Sequence, residues 1–464
     1  MRERVVKLLV FTLAAVLGAT GVSVGVAGTA QAEVSAPIPF DYEGKNVRVK
    51  IYSRDVGDAE NSPVFKFGDL LNRAVRYKTA NPAADVRVTF AMYTMSSDVY
   101  IGVVPGTASY GHVRDSDWDP DNTEKLTYSM VKAAQHKIDV DFAYQKDAYK
   151  PGGQDGEVLR YLESHMDDAC VGDGACQVRD HLSARKVTWG DESPQQMHAK
   201  YMTVNHYLGD DGGDITDTTY VSTANVDDHS STGVPVGHDW VQSGTLVNGH
   251  PGLLAAYNGY FGKIYDNAYD QAAFHTAVRE AHGRGELNFD DAHFSAYFFP
   301  IPTDAADGWD IAFNPVAKYV DLMRETGGDR YLKVNVYHLK GDAFGKRLHA
   351  ELKAIHDAPD PGLEHFRFVV YRNSAEKTWS VVKNFGQLGT VYYGEDTAVK
   401  NTHAKNTQFA FSGAGEYYCV TGSTNLKLDE NASKANSSLV IKEFTVDHPV
   451  YDEFKKIYEY VTLA

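Results

Sequence analysis

The sequence predicts an α/β fold of two pseudo-symmetric halves, each an α/β/α sandwich around a mixed, largely parallel sheet. Three observations carry that expectation. Strands alternate with helices, the pattern of a sheet covered on both faces. The order strand, helix, strand, helix, strand runs twice through the 464 residues. Both runs end in the triplet His-Ala-Lys, once in QQMHAKYMTVN (195–205) and once in KNTHAKNTQFAF (400–411). Repetition on this scale sets the architecture before any single element does.

Residues 1–32 precede the fold. Arg2, Arg4 and Lys7, an apolar run from Leu8 to Val26 and the small-residue ending Ala30 to Ala32 predict a signal peptide cleaved near Ala32, and a secreted protein. The two halves are then 33–288 and 289–464. Each opens on a strand, VRVKIYS (47–53) or SAYFFPIP (295–302). A helix follows in each. In 60–76, Ser62-Pro63 supplies a cap and a first-turn proline, and Val64, Phe67, Leu71 and Val75 recur at helical spacing. In 313–328, Asn314-Pro315 does the same before Val316, Val320 and Met323, and Gly327-Gly328 ends the run. The second strands are DVRVTFAMYT (85–94) and YLKVNVYHL (331–339). A helix and strand occupy 126–144 in one half, and 344–358 with FRFVVYR (366–372) in the other. KVTWG (186–190) and TVYYG (390–394) then lead into His198 and His403. A long helical stretch, 251–283, joins the halves, and 99–125, 145–157 and 167–180 read as surface excursions rich in Gly, Asp and Pro.

Three cysteines are too few for a disulfide scaffold; Cys170 and Cys176 are spaced to close one small loop, and Cys419 reads as a buried thiol. Without residues 1–32 the chain carries 42 basic against 61 acidic residues, a net charge of −19. Such a surface repels long polyanions and disfavours nucleic acid as the substrate.

In a strand, residues two apart face the same side, so His198 and Lys200 share a face, as do His403 and Lys405. Each pair is followed by a small-hydroxyl-asparagine turn: STAN, with Thr223 and Asn225, and GSTN, with Ser423 and Asn425. One His-x-Lys is a weak signal; two at equivalent points of equivalent halves, each with its asparagine turn, form a specific constellation. It resembles the phospholipase D superfamily, whose repeated signature runs His-x-Lys-x-x-x-x-Asp and then Gly-Ser-x-Asn. The resemblance spans nearly the whole chain after residue 32.

The resemblance implies a phospholipase D-like fold and a phosphodiesterase site shared by the halves, with His198 the nucleophile, His403 the general acid, and a phosphohistidine intermediate. Imidazole suits both roles at neutral pH. Lys200, Lys405 and the amides of Asn225 and Asn425 suit the nonbridging oxygens of a phosphoryl group, so the chemistry calls for no metal and no cofactor. Two departures stand out. Asn205 and Ala410 occupy the aspartate positions of the signature. Where the family carries acidic partners for the far nitrogen of each histidine, this chain offers Gln242 and Asn436, with Asp239 nearby.

The remaining histidines, 206, 229, 238, 250, 338 and 365, read as structural. GDDGGD (209–214) reads as a solvated hairpin with a calcium loop as the alternative, HFSAYFFPIP as a core strand, and Trp118 as a loop residue. The expected activity is cleavage, or transfer, of the headgroup of a phospholipid by a monomer in transient contact with a membrane surface. Another phosphodiester substrate, or phosphate binding without turnover, are the alternatives.

Overall fold

The computed structural model describes residues 35–53, 63–95, 126–147, 156–190, 194–226, 241–326, 328–358, 364–374, 379–393 and 402–462. The expected signal peptide, the segment 99–125 with Trp118, and Asp239 with His229 and His238 lie outside them.

The first half runs β1 (Ile38–Tyr42), β2 (Lys45–Ser53), α1 (Phe65–Ala80), β3 (Arg87–Met95), α2 (Leu126–Gln135), β4 (Asp139–Asp147), α3 (Glu157–Ser164), a small hairpin of β5 (Ala169–Cys170) and β6 (Asp173–Gln177), β7 (Leu182–Lys186), β8 (Lys200–Leu208), β9 (Asp214–Ser222) and β10 (Ser243–Asn248). Two helices, α4 (Pro251–Asp266) and α5 (Gln271–Gly283), come next. The second half is β11 (Phe289–Asp290), β12 (Phe294–Phe298), α6 (Pro315–Glu325), β13 (Arg330–Lys340), α7 (Ala343–His356), β14 (Glu364–Ser374), α8 (Val381–Phe385), β15 (Thr390–Tyr393), β16 (Lys405–Phe411), β17 (Glu416–Gly422), α9 (Leu428–Ala432), β18 (Ser437–Glu443) and α10 (Pro449–Thr462).

The duplication is literal. One eight-stranded sheet has the order β1-β2-β10-β9-β8-β3-β4-β7 and the other β11-β12-β18-β17-β16-β13-β14-β15, strand for strand the same plan. The sheets are mixed, as expected, but their balance is the reverse of largely parallel. In each, five of the seven neighbouring pairs are antiparallel and two are parallel. The parallel pairs are those whose strands are joined through helices, β3–β4–β7 and β13–β14–β15. The strands that follow His-Ala-Lys turn straight back as hairpins, which forces antiparallel pairing.

Local chemistry sets the boundaries. Asn314 accepts from the backbone N–H groups of Val316 and Ala317 at 3.0 and 3.2 Å, with Pro315 in the first turn of α6. The stretch 251–283 is two helices because Asp270 caps a new one, accepting from Ala273 N at 3.0 Å. Of KVTWG only Lys186 belongs to β7 and the rest follows it, with Trp189 stacked on Phe274 at 4.5 Å. Cys170 and Cys176 are disulfide-bonded across the β5–β6 hairpin, and Cys419 is a buried free thiol. In the β8–β9 turn, Asp210 pairs with Arg73 and Lys50, while Asp214 meets Tyr77 and His206, so those carboxylates already hold partners.

Each sheet has an outer core beneath its own helices: Phe67, Phe90 and Phe142 in the first half, Val320, Leu348 and Phe368 in the second. A third cluster lies between the sheets. There Tyr257 and Tyr260 of α4, Phe274 of α5, Phe298 of β12 and Tyr458 of α10 pack with Met197 and Ala435. The halves therefore share one core, and the His-Ala-Lys segments border it.

Candidate active site

Both histidines of the repeated motif sit just ahead of their strands, and each is held by the opposite half. Met197 bridges to Ala435, and the His198 N–H donates to the Ala435 carbonyl at 2.7 Å. Symmetrically, Thr402 bridges to Val241, and the His403 N–H donates to the Val241 carbonyl at 3.0 Å. Gln145 fixes the first segment further, its Oε1 accepting from Met197 N at 2.6 Å. Lys200 and Lys405 begin β8 and β16, and their ammonium groups fold back onto the carbonyls of His198 and His403 at 2.8 and 2.7 Å. All four side chains are buried.

The supporting amides also act across the seam. Nδ1 of His198 lies 3.0 Å from Asn436 Oδ1, and Nδ1 of His403 lies 3.1 Å from the Thr223 carbonyl and 3.3 Å from Gln242 Oε1. Each acceptor implies a proton on Nδ1, which leaves Nε2 with its lone pair facing the other way. Ser423 and Thr223 hold these amides, donating to Asn436 Oδ1 at 3.0 Å and Gln242 Oε1 at 2.9 Å. Gly422 is required before Ser423: its φ is +145°, and a Cβ there would come within 2.2 Å of the Ser437 carbonyl. Asn425 Oδ1 accepts from His338 N at 3.1 Å, whereas Asn225 Oδ1 is buried with no donor among the described residues.

Three further residues belong to the site. Tyr93 of β3 and Tyr337 of β13 face their histidines at ring distances of 5.1 and 4.7 Å, and Lys200 and Lys405 lie over the same two rings at 5.3 and 5.6 Å. A tyrosine at matching points of AMYT and NVYH was the available signal. Glu430, in α9, had none. Its Oε2 lies 3.3 Å from His198 Nδ1 and accepts from Asn436 Nδ2 at 2.9 Å, and its Oε1 accepts from Lys434 Nζ at 3.0 Å. Burial raises the Glu430 carboxyl, but Lys434, His198 and Lys427 outweigh it and hold the group well below the usual carboxylate range.

Burial, reinforced by Lys200 and opposed by Glu430, pushes the His198 pKa down to about 3. His403 also falls well below its ordinary value, through burial and then Lys405, Lys200 and His198. Both rings are neutral at pH 7. In the unfolded chain each titrates near 6.5, so below that pH the unfolded state binds protons the folded state refuses. Stability is expected to fall as pH drops from about 6.5 towards 3, at up to about 1.4 kcal/mol per pH unit for each ring. Melting temperature against pH checks this: the acid slope should flatten in His198→Asn, and an unchanged slope counts against the assignment.

The signature's missing aspartates lie away from this chemistry. Asn205 and Ala410 come five residues after the lysines, roughly 16 Å along a strand. Asn205 ties β8 to β3, accepting from Arg87 N at 2.7 Å and donating to the Asp85 carbonyl at 3.0 Å. Ala410 is buried between Tyr331 and Tyr417 in the sheet. Among the described residues, the single group of three metal-ligand types is Cys170, Cys176 and His181, two of them joined as the disulfide.

No protein-family model matches the sequence, and no curated protein matches it. Solved structures do. The phosphatidylserine synthase of Haemophilus influenzae Rd KW20 superposes with TM-score 0.49 at 11% identity, covering 88% of this chain and 86% of that one. A yeast tyrosyl-DNA phosphodiesterase mutant gives 0.41 at 8% identity over 85% and 90%. A polyphosphate kinase from Porphyromonas gingivalis gives 0.41 at 12% identity, and there this chain spans only 45% of the other's length. By its own topology, two eight-stranded mixed sheets of one strand order meeting at paired His-x-Lys segments, this chain has the duplicated α/β plan its sequence predicts.

Proposed function

We propose that this chain is a secreted phosphodiesterase that cleaves the headgroup ester of phospholipids through a phosphohistidine, passing the phosphatidyl group to water or to another alcohol. One observation carries the reading. Two buried imidazoles from equivalent segments each have Nδ1 committed to an acceptor of the opposite half, and His198 and Lys200 lie close enough to His403 to perturb it.

In this reading Nε2 of His198 attacks phosphorus and forms the N–P bond as the bond from phosphorus to the headgroup oxygen breaks. His403 gives its proton to the departing alkoxide. Water then loses a proton to His403 and attacks phosphorus, the N–P bond breaks, and its electron pair returns to His198. Lys200, Lys405, Asn225 and Asn425 neutralise the nonbridging oxygens. His403 must be protonated for the first step although burial and three cationic or basic neighbours depress it in the empty site. The phosphodiester itself resolves this, since an anion set among the lysines favours the charged ring. The net charge of −19 after residue 32 favours a lipid ester over long nucleic acid. No described helix is long and apolar enough to cross a membrane, which suits an enzyme that visits a lipid surface.

The test is incubation with vesicles of phosphatidylcholine or phosphatidylethanolamine. Free headgroup and phosphatidic acid are expected, together with a phosphorylated chain in intact-mass measurements after acid-free quenching. Cleavage of DNA or aryl phosphodiesters without lipid turnover would move the substrate to another phosphodiester. Absence of both turnover and the phosphorylated chain would leave phosphate binding alone.

A further inference from the structure

The two histidines sit in nearly symmetric cages, but their second partners differ in charge. His403 Nδ1 faces two neutral oxygens, the Thr223 carbonyl and Gln242 Oε1, with Lys405 Nζ 3.2 Å away. His198 Nδ1 faces the neutral Asn436 Oδ1 and, 3.3 Å away, the carboxylate of Glu430. We propose that Glu430 is the positioning residue that makes His198 the nucleophile, its carboxylate delivered from α9 and through Asn436 instead of from the strand position where the resembled family carries its acid. The inference rests on the phosphohistidine reading above.

The hydrogen bonding has one consistent direction. Asn436 Oδ1 accepts from His198 and from Ser423, while its Nδ2 donates to Glu430 Oε2 at 2.9 Å and to the Glu430 carbonyl at 3.0 Å. Reversing the amide would set acceptor against acceptor at both the Glu430 carboxylate and the Glu430 carbonyl. The amide is thereby locked with its oxygen on the ring, and the ring is locked with its proton on Nδ1. Gln242 lacks this anchor, since its Nε2 is buried with no acceptor among the described residues.

Glu430 remains ionised because it is held from several sides. Lys434 donates at 3.0 Å, Lys427 lies 3.4 Å away, and Asn425 Nδ2 donates at 3.4 Å. Lys434 in turn donates to Gln196 Oε1 at 2.6 Å, and Gln196 Nε2 donates to the Tyr93 hydroxyl at 2.7 Å, which ties α9 to the wall beside His198. When Nε2 bonds to phosphorus the ring becomes cationic, with its charge partly at Nδ1–H. A carboxylate at that nitrogen stabilises the attacked state more than the neutral ring it starts from, and only such a difference raises the rate. At His403 the neighbouring Lys405 Nζ, 3.2 Å from Nδ1, disfavours the charged ring and favours release of its proton, as a general acid needs.

Turnover of an aryl phosphodiester and of phosphatidylcholine tests this in the full chain, with Glu430→Gln and with the double variant Glu430→Gln/Asn436→Asp. The single change is expected to lower kcat on the order of 100-fold with little change in KM, between the cost of an outer positioning partner and that of a triad carboxylate. It should also move the acid limb of kcat/KM to lower pH, because the ring then holds a proton less well. The groups setting that limb are Lys200 of β8, Lys427 and Lys434 flanking α9, Lys405 and His403 across the seam, and Glu430 itself. The double variant puts the carboxylate directly on the ring and keeps the number of buried charges, so it should recover at least about 10-fold of the loss. It also carries the test if the single variant does not fold. A folded Glu430→Gln with wild-type kcat and pH profile, or a folded double variant no better than the single one, overturns the proposal while the wild-type activity stands. A wild-type chain that forms no phosphohistidine overturns the underlying reading instead.

Discussion

Replacing His198 by alanine is expected to abolish phosphodiester cleavage, with a loss on the order of 10^4- to 10^6-fold, since the proposed covalent intermediate forms on this ring. The fold should survive. His198 lies at the edge of the shared core, and its backbone N–H bond to the Ala435 carbonyl does not depend on the side chain. The reading is checked by headgroup release alongside intact mass, where wild type should carry one added phosphoryl or phosphatidyl group and His198→Ala none. A folded His198→Ala that retains more than a few per cent of activity would sink the nucleophile assignment. A phosphorylated chain in that variant would move the nucleophile to His403.

Replacing His403 by asparagine is expected to separate the two roles by leaving group. With a choline or ethanolamine ester the departing alkoxide needs a proton, and removing the acid should cost about 10^2- to 10^4-fold. With a p-nitrophenyl ester, whose anion leaves unaided, formation of the phosphohistidine should be nearly unaffected. The second step still needs a base, so the phosphorylated chain should accumulate. Measuring the burst of nitrophenolate against the steady rate distinguishes the outcomes. Equal losses on both substrates, with no accumulation, would mean that His403 does not serve as the acid.

The repeated plan was legible because it rests on local chemistry. Asn314-Pro315 starts a helix wherever it stands, and the alternation in FRFVVYR marks a strand without reference to its neighbours. The balance of parallel and antiparallel pairs was not legible. Pairing direction depends on whether a strand continues into a helix or turns back as a hairpin, and the hairpins after Lys200 and Lys405 do the latter. Of the site, the duplicated spacing marked His198, Lys200, His403 and Lys405, and the resemblance marked Gln242 and Asn436, which lie against Nδ1 of His403 and of His198. Tyr93 and Tyr337 were written in matched strands but carried no chemistry until a histidine was placed beside them. Asn205, a departure from the resembled signature, is a tie between β3 and β8.

By itself the sequence determined that there are two halves, that each carries a His-x-Lys segment, and that the usual acids are missing from their usual places. Periodicity, caps and motif spacing are properties of neighbouring residues, so a one-dimensional reading reaches them. Only the tertiary structure decided that each histidine is held by the opposite half, and that a carboxylate returns to His198 from Glu430. The strands of the two sheets face each other across a shared core, so residues more than 200 positions apart become partners at 3 Å. No spacing in the chain encodes that meeting; the shared core to which α4, α5, α10 and the sheet strand β12 contribute creates it.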